Sequence, residues 1–160
     1  GRSSSELEKA KDGSLDFSGE ISIIGGGFAS TSTEDQDLGL APQVTGIRVT
    51  AVTDGQLYKL IIRTADIWDM GTPSWACDFA PSSLEANKET TFTLPLSSFI
   101  ASRRGQPVSA ATLDATQIRS IGINLSYLDM HGNPNPHFGP GGEATSWPFK
   151  MQLRSVEVVQ

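Results

Sequence analysis

Two histidines, His131 and His137, stand six positions apart, with Asp129 and Glu143 in the same stretch. Imidazoles and carboxylates in one segment are the raw material of a metal site or a proton relay. The spacing matches no compact zinc signature. The segment DMHGNPNPHFGPGGEATSW (129–147) is dense in Pro, Gly and Asn, which predicts a long loop rather than a rigid frame for catalysis. No Ser or Cys nucleophile motif accompanies the histidines. Asp35 and Asp37 resemble half of a calcium loop, but the third acidic ligand and the glycine that such a loop requires are missing. Neither catalysis nor a bound metal is expected, and no cofactor.

A second chemical signal is ISIIGGGFAS (21–30), an apolar strand running into three glycines. A dinucleotide fingerprint needs a helix next, with its N-terminal amides facing a pyrophosphate. Here the continuation is STSTEDQDLGLAP, in which Thr31, Ser32 and Thr33 are poor helix formers and Gly39 and Pro42 would break any helix soon after. The glycines are therefore expected to serve a turn, with positive φ, in a hairpin between LDFSGEISI and GFAS.

The remaining signals suit recognition. Arg103-Arg104-Gly105 is a compact basic point on an acidic chain. Its guanidinium groups suit bidentate contacts with carboxylate or phosphate; equally, Arg104 could tie its own loop through backbone carbonyls. Trp68, Trp75 and Trp147 fall at strand ends or in loops, where aromatic anchors occur. Trp75 is expected in the core, while Trp68 and Trp147 are either core lids or anchors. The expected binding residues are Arg103, Arg104, Trp68, Trp147, His131, His137 and Phe138. Asn124-Leu125-Ser126 fits a glycosylation acceptor but lies within an expected strand.

The elements that must position these residues are strands. Leu15, Phe17, Gly19, Ile21 and Ile23 alternate with polar residues. GIRVTAVT alternates in the same way, and Asp54-Gly55 leads from it into LYKLIIRTAD, a hairpin signal. SWACDFA and TTFTLPL are shorter strands. Asp114 is placed to cap a single turn before IGINLSYL, in which Ile121, Ile123, Leu125 and Tyr127 share a face. PFKMQLRSVEVV buries Phe149, Met151 and Leu153, then slips in phase, which predicts a bulge near Arg154-Ser155. Residues 1–14 read as an arm and 15–160 as one domain. About eight strands and no long helix predict an all-β, antiparallel β-sandwich.

The formal charge of −6 argues against duplex nucleic acid as a partner. No apolar run approaches the roughly 20 residues of a membrane helix, so any membrane association is expected to be peripheral. Cys77 is the single cysteine, which excludes an internal disulfide and suits a buried small hydrophobe.

FSGEISIIGGGFAS (17–30), YKLIIRT (58–64), PLSSFIASRRGQPV (95–108), LDATQIRSIGINLS (113–126) and PFKMQLRSVEV (148–158) occur in the order found in one family. On these blocks the chain resembles the complex I intermediate-associated protein 30 family across residues 15–158, and GRSSS resembles the tail of that family's first block. The resemblance implies a galactose-binding-domain-like jelly roll. It implies a non-catalytic assembly role, with protein subunits of a membrane-bound respiratory or photosynthetic complex as partners and a mitochondrion or plastid as location. On this resemblance the family's usual upstream tryptophan-bearing strand is missing from this chain. Arg103 stands where the family usually has an aromatic residue, and Ser98 where an acidic one is common; these departures touch the partner surface, not the fold. A permanent accessory subunit and a carbohydrate-binding module are the alternatives.

Overall fold

The computed structural model describes residues 2–25, 27–65, 69, 71–110, 112–136 and 144–160. Eleven strands succeed one another among them: β1 (Ser4–Lys9), β2 (Leu15–Ser22), β3 (Phe28–Ser32), β4 (Gly46–Thr53), β5 (Tyr58–Arg63), β6 (Ser74–Phe79), β7 (Glu89–Pro95), β8 (Ile100–Arg103), β9 (Gln106–Pro107), β10 (Ser120–Ser126) and β11 (Ser146–Val159). They form a five-stranded sheet in the order β1-β2-β11-β4-β7 and a six-stranded sheet in the order β3-β10-β5-β6-β8-β9. Every pairing is antiparallel. The expected β-sandwich is the observed one.

Alternation explains the core. Ile47, Val49 and Ala51 of β4, Phe17 and Ile21 of β2, and Phe149 and Met151 of β11 supply one layer, all buried. Tyr58, Leu60 and Ile62 of β5, with Ile123 and Leu125 of β10, supply the other. Each fully buried aliphatic or aromatic side chain contributes about 1.5–3 kcal/mol by leaving water. Phe17 meets Phe149 edge-on at 5.0 Å, which locks β2 to β11 across the sheet. The bulge expected in β11 is present: its register with β4 shifts between Leu153 and Ser155.

Two expected hairpins are crossings instead. β2 and β3 lie in different sheets, as do β4 and β5. Gly25 and Gly27 do adopt positive φ, 80° and 78°, but the turn carries the chain over the sandwich rim rather than back along the same sheet. Asp54-Gly55 does the same. Local turn chemistry specifies a reversal; which sheet receives the next strand depends on its long-range pairing, and for β5 that partner is β10. The phase expectation also fails at two ends: Ile23 is 42% exposed and Tyr127 48% exposed, each just beyond its strand. Residues 4–9, read from sequence as part of an arm, pair along the full length of β1 with β2.

The β4–β5 corner is organised by one carboxylate. Asp54 accepts hydrogen bonds from the Gln56 amide nitrogen (3.3 Å) and side chain (2.8 Å), the Tyr58 hydroxyl (3.0 Å) and the Lys150 amide of β11 (3.0 Å). It thereby ties both sheets at one rim. Burial first, and then the Asp54 charge, push the Tyr58 phenol far above its usual range, so it stays a neutral donor. Cys77 on β6 is buried, and desolvation pushes its thiol up to about 11, which leaves it protonated and inert. Asp54→Ala strands several of these donors and should lower unfolding free energy by about 2–4 kcal/mol in urea titrations. A loss under half a kcal/mol would show that the corner is held by packing alone.

Candidate functional site

The six-stranded sheet turns an outer face to solvent, and the residues on it are mostly small. Small polar residues and a glycine alternate with core-facing ones along β10 (Ser120, Gly122, Asn124, Ser126) and β3 (Ser30, Ser32), with Ser120 and Gly122 themselves buried at the floor. β5 places Lys59, Ile61 and Arg63 on this face, and β6 places Ser74 and Ala76. Register puts Ser120 beside Arg63, Gly122 beside Ile61 and Asn124 beside Lys59. Short side chains in the middle of a twisted sheet leave a trough, here a groove of about 620 Å³. That is the size range of ligand sites.

One wall of the groove is the loop after β10, and a lysine holds it. Lys59 is 6% exposed, and its ammonium donates to the Ser126 hydroxyl (2.6 Å) and to the Leu128 carbonyl. Next to it on β6, Asp78 accepts from the Met130 amide at 3.0 Å. Asp129 turns its carboxylate inward on its own loop, accepting from the His131 and Asn133 amides, both at 2.9 Å. Asn135, 8% exposed, donates to the Leu57 carbonyl (3.0 Å) and the Ser126 carbonyl (3.1 Å). Residues 128–135 are thus pinned to the body of the domain by three side chains, Lys59, Asp78 and Asn135. Desolvation lowers the Lys59 pKa against the opposing pull of Asp78 and Asp129. Desolvation likewise raises that of Asp78, against the Met130 hydrogen bond and the Lys59 charge.

Where β3 begins, beside the point at which β10 gives way to that loop, apolar side chains are exposed. Ile23, Phe28 and Tyr127 are 42%, 56% and 48% exposed. They adjoin: a Cβ on Gly27 would lie 3.3 Å from Tyr127 Cβ and 3.9 Å from Ile23 Cα.

The expected binding residues fall in different places. Trp68, His137 and Phe138 lie outside the described residues, as does Glu143. Trp147 is a correction: it is 8% exposed, and its indole N–H donates to Gln56 Oε1 at 3.1 Å, so it closes the core rather than offering an anchor. His131 is exposed on the pinned loop. Arg103 donates to the Gly71 carbonyl at 2.5 Å. Arg104 occupies a tight β8–β9 turn with φ 53°, followed by Gly105 at 77°, and lines the groove. Trp75 packs against the core as expected. Asp35 is bonded to Arg119 at 2.7 Å and Asp37 caps Gly39, so both carboxylates have structural work. No cluster of three potential metal ligands occurs among the described residues. The sequence reading missed Lys59, Arg63 and Phe28; their signal was small residues recurring at alternate positions on neighbouring strands.

The model of the Complex I intermediate-associated protein 30 (CIA30) family matches residues 1–153. The chain belongs to this family. Among solved structures it is similar to the Family 11 Carbohydrate-Binding Module of cellulosomal cellulase Lic26A-Cel5E of Clostridium thermocellum, at 19% identity and TM-score 0.54, covering 95% of this chain and 81% of that one. The same kind of module from that organism, in complex with a beta-1,3-1,4-mixed-linked tetrasaccharide, gives 19% identity, TM-score 0.53, and coverage of 95% and 82%. A solution structure of CtCBM11 gives 19% identity and TM-score 0.56, with 99% and 82% covered. These likenesses show the jelly-roll fold. Among curated proteins there is no significant match. No helix among the described residues is long and apolar enough to cross a membrane.

For this CIA30 domain the pinned loop has two measurable consequences. Lys59→Met leaves the Leu128 carbonyl with the Ser126 hydroxyl as its remaining donor, at 2.8 Å, and removes the tie from this loop to β5, so amide exchange across residues 128–135 should accelerate at least about tenfold while the core strands stay protected. Asp78 has a folded-state pKa raised above its unfolded value, so its contribution to stability is fully present below the unfolded value of 3.8 and is lost as pH rises through the folded value. Asp78→Asn removes that dependence. Wild-type stability should therefore fall relative to the variant as pH rises from 3.8 upward, measured by urea titration at a series of pH values.

Proposed function

We propose that this domain is a non-catalytic docking module that binds protein subunits of a large respiratory or photosynthetic membrane complex during its assembly. Family membership across residues 1–153 is the observation that carries the reading. The groove supports it, since it joins an exposed apolar end to a polar floor and so suits a folded partner's segment better than a reacting small molecule. Docking residues are Arg104 and Phe28 on the groove, with Arg103 at the end of β8 and His131 on the pinned loop; Trp68, His137 and Phe138 belong to the same proposal. The domain acts in an organelle that houses such complexes, a mitochondrion or plastid, and is peripheral to the membrane.

A permanent accessory subunit would use the same surface, and the two roles differ in timing. A carbohydrate-binding role is the second reading, favoured by one observation: Phe28 and Tyr127 present aromatic surface beside a floor of Ser and Asn.

Affinity purification of the tagged chain from organelles in mild detergent should recover subunits or partial complexes, at levels well below the mature complex. Stoichiometric presence in the mature complex would make it an accessory subunit. Recovery of the chain alone, together with saturable binding of a mixed-linked tetrasaccharide in calorimetry, would replace docking with the carbohydrate reading.

A further inference from the structure

The charges that line the groove are not balanced. The carboxylate of Asp129 is taken by two amides of its own loop, and the ammonium of Lys59 by Ser126 and Leu128. The guanidinium groups of Arg63 and Arg104 are different. Neither has an ion pair or a side-chain hydrogen bond among the described residues, whereas Arg48, Arg119 and Arg154 are all paired. Arg63 lies half-buried in its row on the sheet, with Ser120 beside it on β10 and Ser74 on the β6 side, both on the groove. A guanidinium flanked by hydroxyls is a ready carboxylate site. It is a positive locus on a chain of net charge −6.

The apolar end lies at a fixed distance from it. Phe28 is in register with Ser126 and Arg63 with Ser120, so the two ends are six residues of β10 apart. At ~3.3 Å per residue this is roughly 20 Å. A partner segment lying extended along the groove would match that distance with the same number of its own residues.

We infer that the groove binds an extended acidic peptide segment of the partner, with a carboxylate on Arg63 and an aromatic or aliphatic side chain about six residues away against Phe28 and Tyr127. The inference rests on the docking reading and names what is docked. Arg104 at the rim attracts the same negative segment before it seats.

The test uses the whole chain and fluorescent peptides about ten residues long, carrying two glutamates at one end and a phenylalanine six residues along. Anisotropy should show saturable binding that weakens with added salt. The glutamine isostere of the peptide, and the variant Arg63→Gln with an unchanged melting temperature, should each bind at least about tenfold more weakly. Arg63→Glu should reject the acidic peptide and accept its lysine counterpart, which separates lost recognition from lost folding. Equal binding of acidic and isosteric peptides, or preference for a neutral tetrasaccharide, overturns the inference. Recovery of the same organellar partners by wild type and Arg63→Gln also overturns it and leaves docking intact. Peptide recognition without any organellar partner supports the groove chemistry and counts against docking in assembly.

Discussion

A buried ammonium ion organises the candidate surface. Lys59 sits in the middle of a six-stranded sheet, 6% exposed, where an uncompensated charge would be costly. The cost is offset because the ion donates to a hydroxyl and a carbonyl of the chain that leaves β10, with two carboxylates nearby. That chain is consequently held over the sheet rather than extended into solvent, and its first eight or so residues become a wall. Remove the ion and that wall is left to the Asp78 and Asn135 anchors. Asp78 makes the arrangement reciprocal, since it holds the next amide along the same loop. The pair stands directly opposite across β5 and β6, so backbone register fixes both anchors at once.

How much of this was legible in the sequence differs with scale. Alternation in GIRVTAVT named the buried faces correctly because a strand with one dry side leaves only one acceptable phase. Arg154 and the slip after Leu153 were visible for the same reason. Asp54-Gly55 and the triple glycine misled because a two-residue turn looks identical whether it closes a hairpin or crosses a rim. The difference lies in partners far along the chain, β10 for β5 and β11 for β4, which no local window contains.

The candidate site was harder to see because its chemistry is carried by residues that read as ordinary solvated positions. Lys59 and Arg63 alternate with Leu60 and Ile62, the usual appearance of a strand's wet side. Only when β10 supplies serines and a glycine alongside does that side become a trough. Phe28 read as the start of a short strand after a glycine turn, and Trp147 as either a core lid or an anchor. Their roles follow from where the strands end: β3 begins at the rim with Phe28 facing out, while Trp147 lies one residue inside β11 and faces in.

The position of β11 has a bearing on how the molecule is made. It is the last strand among the described residues, yet it lies at the centre of the five-stranded sheet, bonded to β2 on one side and β4 on the other. Until it arrives, β2 and β4 face each other across an empty lane with both apolar faces uncovered. A polypeptide emerging N-terminus first, from a ribosome or a translocation pore, therefore cannot close this sandwich early. Closure of the sandwich must wait until residues 146–159 are available to fill that lane.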